Sequence, residues 1–281
     1  MFFIKGCASL CFLTVNTLVC ALPFYVLALL KLVLPIHRVR NTIIGGLNRI
    51  ALVWIALNTF WIRTVLKPTL HVSGAIPNAR DQWWVVIANH RSWTDILLLQ
   101  YALQQSTAPP RFFIKRELIW IPVIGLAFWA LEFPMLNRGK GGRKAAEKDL
   151  EATRRLCRHA LERPITIYNF VEGTRFTPQK RLQQKSPFTH LLRPKAGGLS
   201  IVLSLLGSRL SGILDATLDY QHGSTRFWDF LCGRSGILRI HIDRLPLKPW
   251  MTDTHILEFE RKKRFHAWVN ALWHDKDRRL S

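Results

Sequence analysis

The stretch Trp83-Trp84-Val85-Val86-Ile87-Ala88-Asn89-His90-Arg91-Ser92-Trp93-Thr94-Asp95 decides how this chain is read. Its first six residues are apolar, aromatic and β-branched for the most part, and they predict a strand. A polar loop follows, and a helical pattern begins at Ile96, so His90 and Asp95 are expected at a strand end and a helix start. In open α/β sheets ligands bind in the crevice beyond the carboxyl ends of strands, which is where this loop would lie. An imidazole titrates near pH ~6.5, and a carboxylate on its other nitrogen fixes the tautomer and strengthens it as a base. The same residues also admit a purely structural role. Ser92-x-x-Asp95 matches a capping-box pattern in which Asp95 only satisfies backbone N–H groups at a helix N-terminus.

A second constellation, Phe170-Val171-Glu172-Gly173-Thr174-Arg175, sits at the end of another apolar run, residues 165–171. Gly173 allows a tight turn and close approach of a ligand, Thr174 offers a hydroxyl, and Arg175 presents a fork suited to phosphate. Alone, this would be an ordinary turn with a solvated arginine. Two such loops crowning one sheet edge point instead to a site.

Further outward, residues 111–114, 213–218 and 237–242 are also strand candidates, and residues 96–105, 143–161, 198–206 and 254–275 are helix candidates. In the last helix Phe259, Phe265, Trp268, Val269 and Leu272 are expected near one face. Short β-rich runs alternating with helical patterns predict an α/β fold, a mixed central sheet flanked by helices. Ahead of it, residues 6–30 carry no charge and are long enough to cross hydrocarbon, so a transmembrane or deeply inserted helix is expected. A signal peptide fits less well, because the apolar run exceeds the usual ~7 to 15 residues and no small-x-small site follows. Lys31, His37, Arg38 and Arg40 place the following chain on the cytoplasmic side. Residues 43–66, interrupted by Arg49, Asn58 and Arg63, resemble a helix returning along or into the interface more than a clean second span. The expected organisation is a membrane-anchoring segment, residues 1–66, and a catalytic domain, residues 67–281.

Lys and Arg total 40 against 18 Asp and Glu, a net charge of +22, so the surface should concentrate anions: nucleic acid, anionic lipid or anionic small substrates. Eleven Trp and sixteen Phe beside that charge suit a membrane interface. Aromatics also stack bases, so a basic membrane-tethered nucleic-acid binder is the non-enzymatic alternative; it predicts steeply salt-dependent binding. That alternative leaves the placement of His90, Asp95 and Glu172 unexplained, and no nucleic-acid partner is expected. Cys7, Cys11, Cys20, Cys157 and Cys232 form no C-x-x-C pair and read as reduced packing residues. With no H-E-x-x-H, P-loop or G-x-S-x-G, neither a metal nor a bound cofactor is expected.

The two loops, NHRSWTD and FVEGTR, resemble the N-H-x-S-x-x-D and F-x-E-G-T-R motifs of the glycerophospholipid acyltransferases typified by bacterial 1-acyl-sn-glycerol-3-phosphate acyltransferase. Lys115-Arg116-Glu117-Leu118, then Trp120-Ile121-Pro122-Val123-Ile124-Gly125 with Asn137-Arg138, and finally Pro194-Lys195-Ala196-Gly197-Gly198 follow in the family's order. The resemblance spans residues 83–220. Within the family, residues 115–131 and 193–199, together with the fourth block over residues 212–220, look most similar to the YihG-type subgroup of probable acyltransferases. The fourth block, Gly212 to Tyr220, lacks the family's usual proline, a departure bearing on acceptor or acyl-chain preference.

The resemblance implies that His90 takes the proton of an acceptor hydroxyl while Asp95 orients the ring, and that the oxygen attacks a fatty acyl thioester directly. Lys115, Arg138, Arg175 and Lys195 would surround the acceptor phosphate, Glu172 and Gly173 would shape the pocket, and Thr174 would be a hydrogen-bond partner. The implied donor is acyl-CoA or acyl carrier protein. The leading acceptor is 1-acyl-sn-glycerol 3-phosphate, giving phosphatidic acid; another lysophospholipid or glycerol 3-phosphate is the alternative. The reaction would occur at the cell inner membrane, on its cytoplasmic face, and residues 120–136 would line the acyl path or dip into lipid unless they form a buried core helix.

Overall fold

Burial on both faces explains why residues 83–88 carry no charged or amide side chain. The computed structural model describes residues 1–34, 37–137, 142–221, 223–253 and 255–281. Strands β1 (Thr69–Gly74), β2 (Trp83–Ala88), β3 (Pro110–Phe112), β6 (Thr166–Phe170), β7 (Leu210–Gln221) and β8 (Ile237–Leu245) form one sheet in the order β1-β8-β7-β2-β6-β3. β7, β2, β6 and β3 run parallel; β8 is antiparallel to β7 and parallel to β1. Two shorter strands, β4 (Ile114–Lys115) and β5 (Met135–Leu136), pair separately. The mixed α/β sheet expected from the sequence is therefore present, with β1 as an additional edge strand.

Successive side chains of β2 alternate between two cores. Trp84, Val86 and Ala88 join the buried leucines of α3 (Thr94–Leu103) on one face. Val85 and Ile87 face the other, where α5 (Gly142–Ala160), α7 (Gly197–Leu206) and α10 (Glu258–Arg279) supply Leu156, Leu203, Phe265 and Trp273. Each fully buried aliphatic side chain contributes about 1.5–3 kcal/mol, against the entropy of ordering it. α10 departs from the expected pattern in one respect: Phe259 is 77% exposed, while Phe265, Val269 and Trp273 form the buried stripe. Thr254, the expected helix start, lies outside the described residues.

α1 (Phe2–Val33) and α2 (His37–Trp61), which continues through a π turn to Leu66, pack as an antiparallel hairpin. Both are long and apolar enough to cross a membrane, by length and composition. Leu10, Val15, Leu18, Val19, Leu22 and Leu29 of α1 are exposed, a surface suited to lipid rather than water. Asn58, one of the polar interruptions of the second stretch, is buried against the first helix and accepts from Asn16 Nδ2 at 2.7 Å. It acts as interhelical glue of the kind apolar helix pairs use.

The hairpin is held to the α/β body near both ends of α1. At one end Phe3 meets Trp228 of α8 (Phe227–Leu231) edge-on at 6.0 Å, and a Cβ on Gly6 would fall 2.6 Å from Cys232 Sγ, so only glycine permits this approach. At the other end Tyr25 donates to the Val123 carbonyl (2.5 Å), and Lys31 donates to the Ala130 carbonyl and Glu132, both at 2.8 Å. Arg40 and His159 also converge on Glu132. Burial pushes the Glu132 carboxyl up, but the hydrogen bonds from His159 and Lys31 outweigh it and hold the group well below the usual carboxylate range. Residues 120–136 contain α4 (Ile124–Ala130) between two non-glycine residues of positive φ, Val123 and Glu132. Trp120, Ile124 and Trp129 are exposed, so this segment is not a buried core helix.

Candidate active site

Past the last rung between β2 and β7, Asn89 continues the ladder with its side chain. Its Nδ2 donates to the Leu218 carbonyl (2.9 Å), and its Oδ1 accepts the Leu218 N–H (2.8 Å). This two-way bridge fixes where the loop leaves the sheet, and the next residue is His90. His90 Nδ1 lies 2.7 Å from Asp95 Oδ2, which also accepts the N–H groups of Arg91 (2.6 Å) and Ser92 (2.8 Å). One carboxylate oxygen of Asp95 thus meets both the loop N–H groups and the imidazole. Phe170, the last residue of β6, stacks on the ring at 4.0 Å and 18°, fixing its plane. With Nδ1 occupied, Nε2 is the nitrogen left to accept a proton, and the ring remains partly accessible, its side chain 13% exposed.

The acceptor-motif loop is tied directly to this one. Phe176 N–H donates to the His90 carbonyl (2.7 Å), and the Arg175 guanidinium lies over the Trp93 ring at 4.8 Å. Gly173 has φ +69°, and a Cβ there would meet Lys195 Cδ at 3.4 Å, so Lys195 lies over the glycine. The Lys195 N–H donates to the Val171 carbonyl (2.8 Å), which draws the Pro194-to-Gly198 segment alongside the motif. Lys180 of α6 (Pro178–Gln183) donates to Thr174 Oγ1 (2.8 Å) and to the Arg175 carbonyl (3.0 Å). Burial lowers its pKa, and the charges of Arg175 and Lys115 lower it further, so three cations share one region. Lys115 ends β4 with an exposed side chain. Arg138 lies outside the described residues.

A protein-family model described as Acyltransferase matches residues 68–217, more than half of the chain. The chain belongs to the acyltransferase family. Among curated relatives, a 1-acyl-sn-glycerol-3-phosphate acyltransferase of Cocos nucifera is 24% identical over 64% of this chain and 52% of its own length. A 1-acyl-sn-glycerol-3-phosphate acyltransferase alpha of Mus musculus is 25% identical over 54% of this chain and 48% of its own. The chain spans about half the length of these relatives. The crystal structure of the 1-acyl-sn-glycerophosphate acyltransferase from Thermotoga maritima matches 98% of this chain and 97% of that one, with TM-score 0.51 and 16% identity, and so shares the fold.

Three residues around the candidate site carry no distinguishing sequence motif: Lys180, Tyr220 and Lys276. Tyr220 donates to Asp95 Oδ1 at 2.5 Å. Lys276 of α10 reaches beneath β7 to donate to Asp215 Oδ1 (2.5 Å) and the Ala216 carbonyl (2.7 Å). Glu172 is fully buried, and burial pushes its carboxyl up to about 8; the nearby Leu192 N–H and the Lys276 charge oppose the rise and the Asp95 charge adds to it. Burial therefore favours the protonated form of this carboxyl.

A stability test follows with a definite sign. An unfolded glutamate titrates near ~4.3, so between that value and about 8 the native state binds the extra proton. The contribution of Glu172 is complete below the unfolded value and is lost as pH rises through about 8. Glu172→Gln, neutral at every pH, is expected to flatten the fall in Tm across this window relative to wild type. Parallel Tm curves for the two proteins would show that Glu172 does not carry the proton.

Proposed function

We propose that this acyltransferase moves a fatty acyl group from acyl-CoA or acyl carrier protein to the free hydroxyl of a lysophospholipid, with 1-acyl-sn-glycerol 3-phosphate as acceptor and phosphatidic acid as product. The carrying observation is the buried Asp95 carboxylate bonded to His90 Nδ1, which leaves Nε2 as base beside a basic loop. Nε2 takes the hydroxyl proton as the oxygen forms its bond to the thioester carbonyl carbon. The tetrahedral adduct then collapses, the carbon–sulfur bond breaks, and the imidazolium returns its proton to the departing thiolate. Asp95 holds the tautomer and offsets the transient imidazolium charge.

Lys115, Arg175, Lys195 and the additional Lys180 would receive the acceptor phosphate, with Arg138 as a further ligand from the sequence motif. A dianionic group rewards several charge-assisted donors. Gly173 lets Lys195 lie close over the turn, Thr174 contributes a hydroxyl, and Glu172, whose carboxyl pKa burial raises, shapes the pocket. Residues 1–66 serve as the membrane anchor of the catalytic domain, residues 67–281, at the cytoplasmic face of the cell inner membrane. A helix rises about 1.5 Å per residue, so Lys5 and Lys31 are separated by more than the ~30 Å hydrocarbon core. Because α1 is held to the same body near both ends, insertion along the surface fits better than a perpendicular crossing. The exposed Trp120, Ile124 and Trp129 of the α4 segment would enter lipid on the same side and border the acyl path.

Arg175→Ala tests the acceptor pocket. Loss of a charge-assisted pair, about 1.5–3 kcal/mol, should raise KM for a phosphate-bearing lysolipid roughly 10- to 100-fold while leaving Tm within a few degrees. Unchanged KM in a steady-state assay would return Arg175 to the role of a surface cation stacked on Trp93.

A further inference from the structure

The carboxylate that holds His90 has a second oxygen, and its partner comes from a different strand. Oδ2 of Asp95 serves the loop, accepting from His90, Arg91 and Ser92. Oδ1 accepts from the Tyr220 hydroxyl of β7 at 2.5 Å, with Tyr220 and Asp95 both buried. The placement follows from the sheet: the Asn89–Leu218 bridge sets the register of β7 against the loop, and Tyr220 lies two residues beyond Leu218 on the same side of the strand.

We infer that Tyr220 is a positioning residue of the proton-transfer pair, and that its phenol sets how strongly Asp95 pulls on His90. This rests on the reading of His90 as the base. The chemistry is a competition for one charge. A donor on Oδ1 stabilises the carboxylate and so weakens its pull on an imidazolium at Oδ2; without that donor the imidazolium is favoured more strongly. Burial first, then the Asp95 charge and the bond itself, hold the phenol pKa well above its ordinary value, so Tyr220 stays a donor throughout an enzymatic pH range. The other charged or titratable groups facing the pair are Arg91 on its own loop and Glu172 from the loop after β6, with Lys276 of α10 behind Glu172. None of these donates to Oδ1 among the described residues.

The test is the pH dependence of kcat/KM for labelled acyl transfer to a lysolipid in membranes carrying the full chain. In Tyr220→Phe the acid limb should move to higher pH by about one unit, a roughly tenfold loss on that limb with the alkaline plateau largely kept. A uniform fall at every pH, or an unmoved limb, would overturn the inference, because a purely structural tyrosine would lower the plateau without shifting the limb. If Tyr220→Phe fails to fold, incorporation of 3-fluorotyrosine at position 220 decides. It keeps the shape and makes the phenol a stronger donor, so the limb should move to lower pH, and an unmoved limb again overturns the inference. His90→Ala, run in parallel, separates the two levels. Activity retained there defeats the reading of His90 as base, whereas an inactive His90→Ala beside an unmoved limb defeats only the role of Tyr220.

Discussion

Membranes carrying His90→Ala are expected to transfer labelled acyl groups to lysolipids at least ~100-fold more slowly than wild type, the usual loss when a positioned general base is removed. The fold should survive the substitution. Asp95 keeps the N–H groups of Arg91 and Ser92 on one oxygen and the Tyr220 hydroxyl on the other, so the buried carboxylate is not orphaned when the imidazole goes. Phe170 loses its stacking partner at the end of β6, a modest packing change at the sheet edge. A large fall in rate with an almost unchanged Tm is therefore the expected pair of measurements. Equal rates for the two proteins would remove His90 from the mechanism.

The second large effect is on stability and lies on the far side of the sheet. The Lys276 side chain is 1% exposed, its ammonium bonded to Asp215 and the Ala216 carbonyl and set 4.9 Å from the Trp273 ring. Lys276→Ala leaves the Asp215 carboxylate buried without its cation, a change that costs about 3–5 kcal/mol. Denaturant unfolding of the detergent-solubilised protein should register that loss, and a change under about 1 kcal/mol would show that water or Arg279 takes over the pairing. The double substitution Lys276→Met with Asp215→Leu should recover most of the stability, because removing both charges also removes both desolvation penalties.

Sequence patterning revealed the parts of this protein that depend on one segment at a time. The strand over residues 83–88, the two polar loops that end β2 and β6, and the helix after the first of them follow from local apolar runs and turn chemistry. Asp95 was legible as a cap or as an orienting group because both roles use the same short loop. β1 gives a weak sequence signal because its six residues hold only two large apolar side chains and are mostly exposed at a sheet edge. Tyr220 was hidden for a different reason: its partner is 125 residues away, and only the register between β2 and β7 brings them together. Lys276 left a usable trace. It falls on the stripe of Phe265, Val269 and Trp273, and a lysine on a buried helical face demands an anion, which Asp215 supplies from the middle of an apolar strand. Lys180 left none, since one basic residue in a short polar helix is ordinary on a chain of such positive charge.

The bridge from Asn89 to Leu218 has an evolutionary consequence. On the proposed mechanism, proton transfer depends on strand register, whereas the proposed phosphate ligands are tips of long side chains on turns, on one short helix and at the end of β4. On that reading, variation in these side chains would retune which headgroup is admitted without disturbing His90 and Asp95. Swapping the turns of residues 172–195 with those of another family member should transplant headgroup preference while leaving the rate of acyl transfer nearly constant.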